Sequence, residues 1–364
     1  MGSTDPDHSK GDTIFAVQYL RGFAALAVFL FHISSLTVVL WGPAAADVDH
    51  AGAAGVDLFF VISGFVMAMI LSRPGPFSVR DFAIQRIARI VPGYYVMTIA
   101  VFVLALVAPA LFITTSADPA TLLRSLTFVP VADSQGSIAP LLVVGWTLDY
   151  EVFFYLLCAV GALLCGCRAL VAVSGVIVAL VLAGLLVTPE HPTLRFYTDT
   201  ILLEFVYGIA IWRLHRSGAL SDQKLPSALI FALGILLLAI QIEREPGAGR
   251  ALVWGLPAAF ILLGGLRVLD FEIRWLSLVG DWSYAFYLTH LFVIFGYVRL
   301  VMPLIGHFDL DWPFHYAAMT VLGLGFACLY HHVVEVPARK FIRGRFAGPR
   351  RSEARRAEDL PKLA

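Results

Sequence analysis

The stretch Gln18–His32 reads QYLRGFAALAVFLFH, an apolar run broken by one arginine and one histidine. It lies inside a longer apolar segment over residues 14–40, and about 20 such residues suffice to cross a bilayer as a helix. An ionisable side chain at membrane depth costs roughly 2.5–3.5 kcal/mol on insertion scales, which marks Arg21 and His32 as functional candidates. Eleven positions separate them. On a helix they share a face to within about 20° and stand roughly 16 Å apart along the axis. That separation excludes direct contact and suits two parts of one long ligand.

The whole chain has the same character. Of its 364 residues 59% are hydrophobic and only 14% charged, with a mean hydropathy of +0.82. Soluble domains carry about 25% charged residues, so the composition specifies an all-α, polytopic membrane protein. Its formal net charge is zero, which argues against a nucleic-acid partner. The four cysteines, Cys158, Cys165, Cys167 and Cys328, fall within or at the ends of apolar segments. Cys165 and Cys167 lack the second half of a zinc site, so all four read as ordinary apolar residues. The first dozen residues are polar, and no Ala-x-Ala site follows the first apolar run. That run is expected to be an anchor rather than a signal peptide.

Apolar stretches at about 14–40, 53–72, 90–112, 141–165, 169–187, 200–214, 226–242, 251–266, 276–301 and 316–337 predict about ten transmembrane helices. With a cytoplasmic amino terminus, only Arg124, Arg195, Arg244, Arg250 and Arg299 of the 26 Lys and Arg residues fall outside. The positive-inside rule therefore puts both termini in the cytoplasm. The expected organisation is a cytoplasmic segment 1–13, one transmembrane domain 14–343 and a charged cytoplasmic tail 344–364, disordered or resting on the anionic inner leaflet.

Several motifs carry chemistry. The second stretch contains GVDLFFVISGF over residues 55–65. There Asp57 is either functional or a buried partner for an outer arginine, and Ser63-Gly64 reads as helix packing. Arg86 and Arg89 are three apart in QRIARIVPGYY, residues 85–95, and share a helix face. They read either as bidentate phosphate ligands or as a positive-inside signal with snorkelling side chains. Glu151, in the run WTLDYEVFFY over residues 146–155, lies by depth counting near the level of His32. A carboxylate there would orient the imidazole and strengthen it as a base, or would make a salt bridge with Arg21 or an arginine of the third segment. Ser283 and His290 fall on nearly one face of DWSYAFYLTH, residues 281–290. His332 and Glu335 have the spacing of a helical metal pair, but two ligands are too few, and capping or pairing with Arg339 is the better reading.

These motifs together resemble the acyltransferase-3 family of integral membrane acyltransferases. Its arginine, ten residues, histidine opening is matched by Arg21 and His32. The GVDLFFVISGF run, the paired arginines, WTLDYEVFFY, SYAFYLTH and the Glu335-x-Pro337 ending follow in order over about residues 14–343. The QYLRG opening is similar to the exopolysaccharide acetyltransferase branch. Thr147 departs from a commoner serine, and no fused SGNH hydrolase-like domain is expected. The resemblance implies a multi-pass protein of the bacterial cytoplasmic membrane, an acyl-CoA donor, usually acetyl-CoA, and no metal. It implies a glycan or lipid-linked sugar hydroxyl as acceptor.

On that basis Arg86, Arg89, Arg21 and Tyr94 are expected to hold CoA. His32, with Glu151 and Arg21, would do the chemistry, His32 serving as general base or as a transiently acylated nucleophile. Tyr94, Ser283 or Arg21 would face the thioester oxyanion, and Asp57, Asp149, Ser283 and His290 the acceptor. The competing class is a transporter or channel with an intramembrane charge relay, against which stands the lack of any inverted repeat.

Overall fold

The computed structural model describes residues 14–41, 50–112, 117–130, 138–218, 223–241, 247–305 and 312–346. The expected amino-terminal segment 1–13, and the expected tail beyond Phe346, lie outside the described residues. Every regular element among the described residues is helical. In chain order the α-helices are α1 (Phe15–Trp41), α2 (Gly55–Leu71), α3 (Val79–Val107), α4 (Pro119–Leu126), α5 (Trp146–Cys165), α6 (Ala169–Val187) and α7 (Pro192–Tyr197). They continue as α8 (Leu203–Arg216), α9 (Lys224–Ala239), α10 (Leu256–Val268), α11 (Arg274–Gly296), α12 (Met302–Ile305), α13 (Trp312–Tyr330) and α14 (Val336–Phe346).

Each of the ten expected stretches carries a helix, but the spans divide differently. Among the described residues, seven continuous runs are long and apolar enough to cross a membrane, which makes this a multi-pass membrane protein. The run Val143–Val187 has 45 residues and is broken into α5 and α6 at Gly166, whose φ of +51° suits a residue without Cβ. At 14 and 16 residues, α8 and α9 are too short to count among those seven runs. The helix α3 begins at Val79, eleven residues before its expected apolar start. Ser78 caps it by accepting from the Asp81 N–H at 3.2 Å, and the polar turns containing Arg80, Arg86 and Arg89 continue into the apolar run.

Small residues set the helix approaches, as expected where lipid supplies no hydrophobic drive between helices. A Cβ on Gly64 of α2 would stand 2.1 Å from the Phe205 carbonyl oxygen of α8, and one on Gly208 would stand 2.0 Å from the Val61 carbonyl. The two backbones therefore touch reciprocally, and the packing reading of Gly64 holds. Likewise α1 and α11 meet where a Cβ on Gly280 would lie 2.3 Å from the Gln18 carbonyl. That contact brings the helix of Arg21 and His32 against the helix of His290.

Pro92 sits inside α3 and removes one ladder donor. Tyrosine hydroxyls bond the carbonyls nearby: Tyr284 donates to Ile90 at 2.7 Å and Tyr330 to Gly93 at 2.6 Å. These bonds tie α11 and α13 to the turns of α3 around Pro92. A π-helical turn, His331–Glu335, joins α13 to α14, and His332 and Glu335 bond different partners there. Glu335 Oε2 instead pairs with His331 Nδ1 at 2.8 Å, while His332 Nδ1 bonds the Cys328 carbonyl at 2.8 Å. Among the described residues no group of three or more His, Cys, Asp or Glu side chains is placed to hold a metal ion.

Candidate active site

Helices α1, α2, α3, α5 and α11 enclose a cavity of about 180 Å³. One face of α2 supplies Val56, Phe60, Ser63 and Met67. These recur every three or four residues, so the cavity follows α2 for about 16 Å. Thr147, Glu151 and Tyr155 line it from α5 at intervals of four, Arg86 and Arg89 from α3, Arg21 from α1, and Tyr284 and Tyr287 from α11. Arg86 and Met67 lie at one end. That end faces the side of the bundle where α8 finishes in Arg213 and Arg216, α10 in Arg267, and α11 begins at Arg274. Val56 and Thr147 lie at the other.

The cavity holds three guanidinium groups and one carboxylate. Glu151 accepts from Ser63 Oγ at 2.8 Å and from the Tyr155 hydroxyl. Arg21 feels both Glu151 and Asp281 as opposite charges and Arg89 as a like charge. The Arg86 guanidinium carbon sits 5.6 Å from the Tyr155 ring centre, and its Nε is buried with no hydrogen-bond partner among the described residues. None of Arg21, Arg86 and Arg89 has a carboxylate within 4 Å among the described residues. Cations held this way in a low-dielectric interior favour an anionic occupant.

His32 does not line this cavity. It meets His290, whose Nε2 lies 3.3 Å from His32 Nδ1, and their ring centres are 4.8 Å apart. Tyr287 connects the two places. Its ring lines the cavity and lies 5.8 Å from the His290 ring, and its hydroxyl is 2.9 Å from Thr147 Oγ1. The expected His32–Glu151 hydrogen bond is therefore absent among the described residues. Depth counting misjudged their levels: Glu151 bonds Ser63 of α2 and lies close enough to Arg21 to interact with its charge, whereas His32 stands about 16 Å farther along α1 and meets His290 of α11.

The remaining candidates are dispersed. Asp57 is fully buried and held by Arg250 through two hydrogen bonds of 2.9 and 2.8 Å, a buried pairing with an arginine as in one of its two readings. Ser283 is buried and donates to the Gly280 carbonyl at 2.7 Å, away from the cavity. Tyr94 and Asp149 are also buried outside the lining, Tyr94 packing on Phe128 with ring centres 4.9 Å apart. Sequence reasoning missed Ser63, Tyr155, Tyr284, Tyr287 and Arg250. The spacing of Thr147, Glu151 and Tyr155 on one face was available as a signal for Tyr155. No local signal pointed to Arg250, whose partner stands 193 residues away.

The sequence as a whole decides the family. Residues 14–332 match the acyltransferase-3 domain. The chain belongs to the acyltransferase-3 family. It is 38% identical over 258 residues to the exopolysaccharide production protein ExoZ of Rhizobium meliloti, covering 67% of this chain and 77% of that one. It is 30% identical to YrhL of Bacillus subtilis, a putative peptidoglycan O-acetyltransferase, over 88% of this chain and 54% of that protein. The acyltransferase MdmB of Streptomyces mycarofaciens is 28% identical, covering 89% of this chain and 91% of its own. No solved structure matches. The family match contains every residue of the cavity and the His32–His290 pair, and it stops three residues before Glu335.

Proposed function

We propose that the protein is a membrane O-acyltransferase that moves an acyl group, acetyl in the first instance, from cytoplasmic acyl-CoA to a hydroxyl of a cell-surface or exported glycan. The observation that carries this reading is the cavity itself: three arginines, one carboxylate and a length of about 16 Å. An acyl-CoA has matching parts, with phosphates at one end and a thioester at the end of a slender arm. Arg86 and Arg89 take the phosphates as charge-assisted, bidentate donors. Arg21 receives the arm deeper in, and Glu151, held by Ser63 and Tyr155, balances part of the positive charge. The arginines gathered at the Arg86 end support placing that end, and both termini, in the cytoplasm of a bacterial inner membrane with ten crossings.

His32 lies past Tyr287 on the opposite side from the arginines and acts as general base. Its free ring nitrogen takes the proton of the acceptor hydroxyl as that oxygen attacks the thioester carbonyl. The tetrahedral intermediate expels the CoA thiolate, the C–S bond breaks, and His32 returns the proton to the sulfur. The products are the O-acyl glycan and CoA with a free thiol, and His32 ends neutral as it began.

The test is acyl transfer by reconstituted protein. His32→Ala should lose transfer by about 10²–10⁴-fold while CoA still raises the Tm of the detergent-solubilised protein. Near-normal transfer by that variant removes His32 from the mechanism. Failure of CoA to stabilise even the wild type favours the transporter class instead.

A further inference from the structure

The hydrogen bonds around His32 allow one arrangement of protons. His290 Nδ1 lies 2.7 Å from the Tyr287 carbonyl oxygen. A carbonyl only accepts, so that nitrogen carries a hydrogen, and in the neutral ring Nε2 keeps its lone pair. His32 Nδ1 faces two atoms, the Val28 carbonyl oxygen at 2.8 Å and His290 Nε2 at 3.3 Å. Both are acceptors, so His32 Nδ1 must be the donor, shared between them. The opposite assignment would set a bare His32 Nδ1 against the Val28 carbonyl and leave neither with a proton.

We propose that His290 is the positioning residue for His32, fixing it together with the Val28 carbonyl as the Nδ1–H tautomer so that Nε2 is the atom that takes the acceptor's proton. This rests on the reading of His32 as the base. It gives His290 a role other than contact with the acceptor, and it replaces the carboxylate that usually orients a catalytic imidazole with a second imidazole. When Nε2 is protonated during turnover, the Nδ1–H remains and both acceptors still face it, so the imidazolium forms without any change of partner.

The setting suits that task. His290 is 1% exposed, and the Phe29 ring meets it edge-on with centres 6.3 Å apart. Its backbone anchor is the carbonyl of Tyr287, the residue whose ring lines the cavity. A shift of Tyr287 on cavity filling would therefore reach His290, and through it the orientation of His32.

The experiment is ¹⁵N NMR of histidine-labelled protein in lipid bilayers, with the His32 signals assigned by their loss in His32→Asn. The wild type should show His32 protonated at Nδ1 and bare at Nε2. In His290→Leu the spectrum should show both tautomers or an altered His32 Nδ1 shift. Thiol release from acetyl-CoA by proteoliposomes supplied with bacterial exopolysaccharide should fall at least tenfold in kcat, with KM for acetyl-CoA unchanged. His290→Gln, whose amide oxygen can accept from His32 Nδ1, should recover activity to within a few-fold of wild type. A wild-type His32 protonated at Nε2 overturns the proposal, and so does a His290→Leu protein with unchanged spectrum and kcat. Should His290→Leu fail to fold, the wild-type tautomer and the His290→Gln rate still decide. The NMR result stands apart from activity, so a His32→Ala protein that transfers normally would refute the base and leave the tautomer assignment intact.

Discussion

Arg250 and Arg86 are both enclosed by helices, yet their surroundings differ in each feature that sets the energy of a buried charge. Arg250 makes two hydrogen bonds to a fully buried carboxylate and lies between two indoles, its guanidinium carbon 5.0 Å from the Trp254 ring centre and 5.6 Å from that of Trp146. Its charge is satisfied within the protein. Arg86 shares its cavity with two further arginines and one glutamate, and its buried Nε has no partner among the described residues. One arginine completes the fold, whereas the other leaves an electrostatic demand that the fold does not meet. Arginine at membrane depth is therefore a functional sign only where its charge is unmatched.

The largest effect expected from this contrast is on stability. Arg250→Ala leaves Asp57 buried without its cation, which should cost about 3–5 kcal/mol. Thermal or denaturant unfolding in detergent measures it. The double variant Asp57→Ala with Arg250→Ala should lose less than the sum of the two single variants, because each single change strands a partner. A loss below about 1 kcal/mol in Arg250→Ala would place it with ordinary exposed pairs and break the contrast.

Arg86→Ala should behave in the opposite way. The proposed phosphate contacts are charge-assisted hydrogen bonds worth about 1.5–3 kcal/mol, so CoA should bind roughly 10–100-fold more weakly. Without CoA the variant should unfold no earlier than wild type, since removing one of several like charges relieves repulsion. Isothermal titration for affinity and a thermal ramp for stability separate the two quantities. An unchanged Kd ends the phosphate-clamp role. A drop in Tm comparable to that of Arg250→Ala would show that the cavity arginines are structural too.

How far the sequence revealed these two places follows from the range of the forces involved. Helical periodicity and span length are local, so all ten helical stretches were legible, as was the arginine face of α3. Depth counting gave Glu151 and His32 one level, but the shift and rotation of each helix are set by its packing partners, and Glu151 comes to lie near Arg21 rather than His32. Gly64 and Gly208 fix the α2–α8 contact through backbone approach, which a sequence can suggest as small residues but cannot match as a pair. Asp57 and Arg250 are joined only in the folded bundle. Ser63 looked like packing because its neighbour Gly64 does pack, and a serine on that α2 face becomes a Glu151 donor only once α5 lies opposite. The His32–His290 contact follows from α1 and α11 touching at Gly280, a feature no spacing within either helix contains.

A third way of settling a charge sharpens the contrast and should have the smallest effect. Asp118, at the start of α4, is half-buried and sits outside the membrane-spanning helices. Its carboxylate caps α4, accepting from the Thr121 N–H at 2.8 Å, the Thr121 hydroxyl at 2.7 Å and the Ala120 N–H at 3.3 Å. The hydrogen bonds from Thr121 hold the Asp118 carboxyl below its ordinary pKa. Because the folded value is the lower one, the stabilisation is fully present above the unfolded value of about 3.9 and is lost as pH falls through the folded value. Asp118→Ala should lower the Tm slightly at neutral pH and leave CoA affinity untouched, and the difference from wild type should close below about pH 4. A Tm gap that persisted at low pH would mean that Asp118 acts through packing rather than charge. Local donors would then be no substitute for the ion pair that secures Arg250.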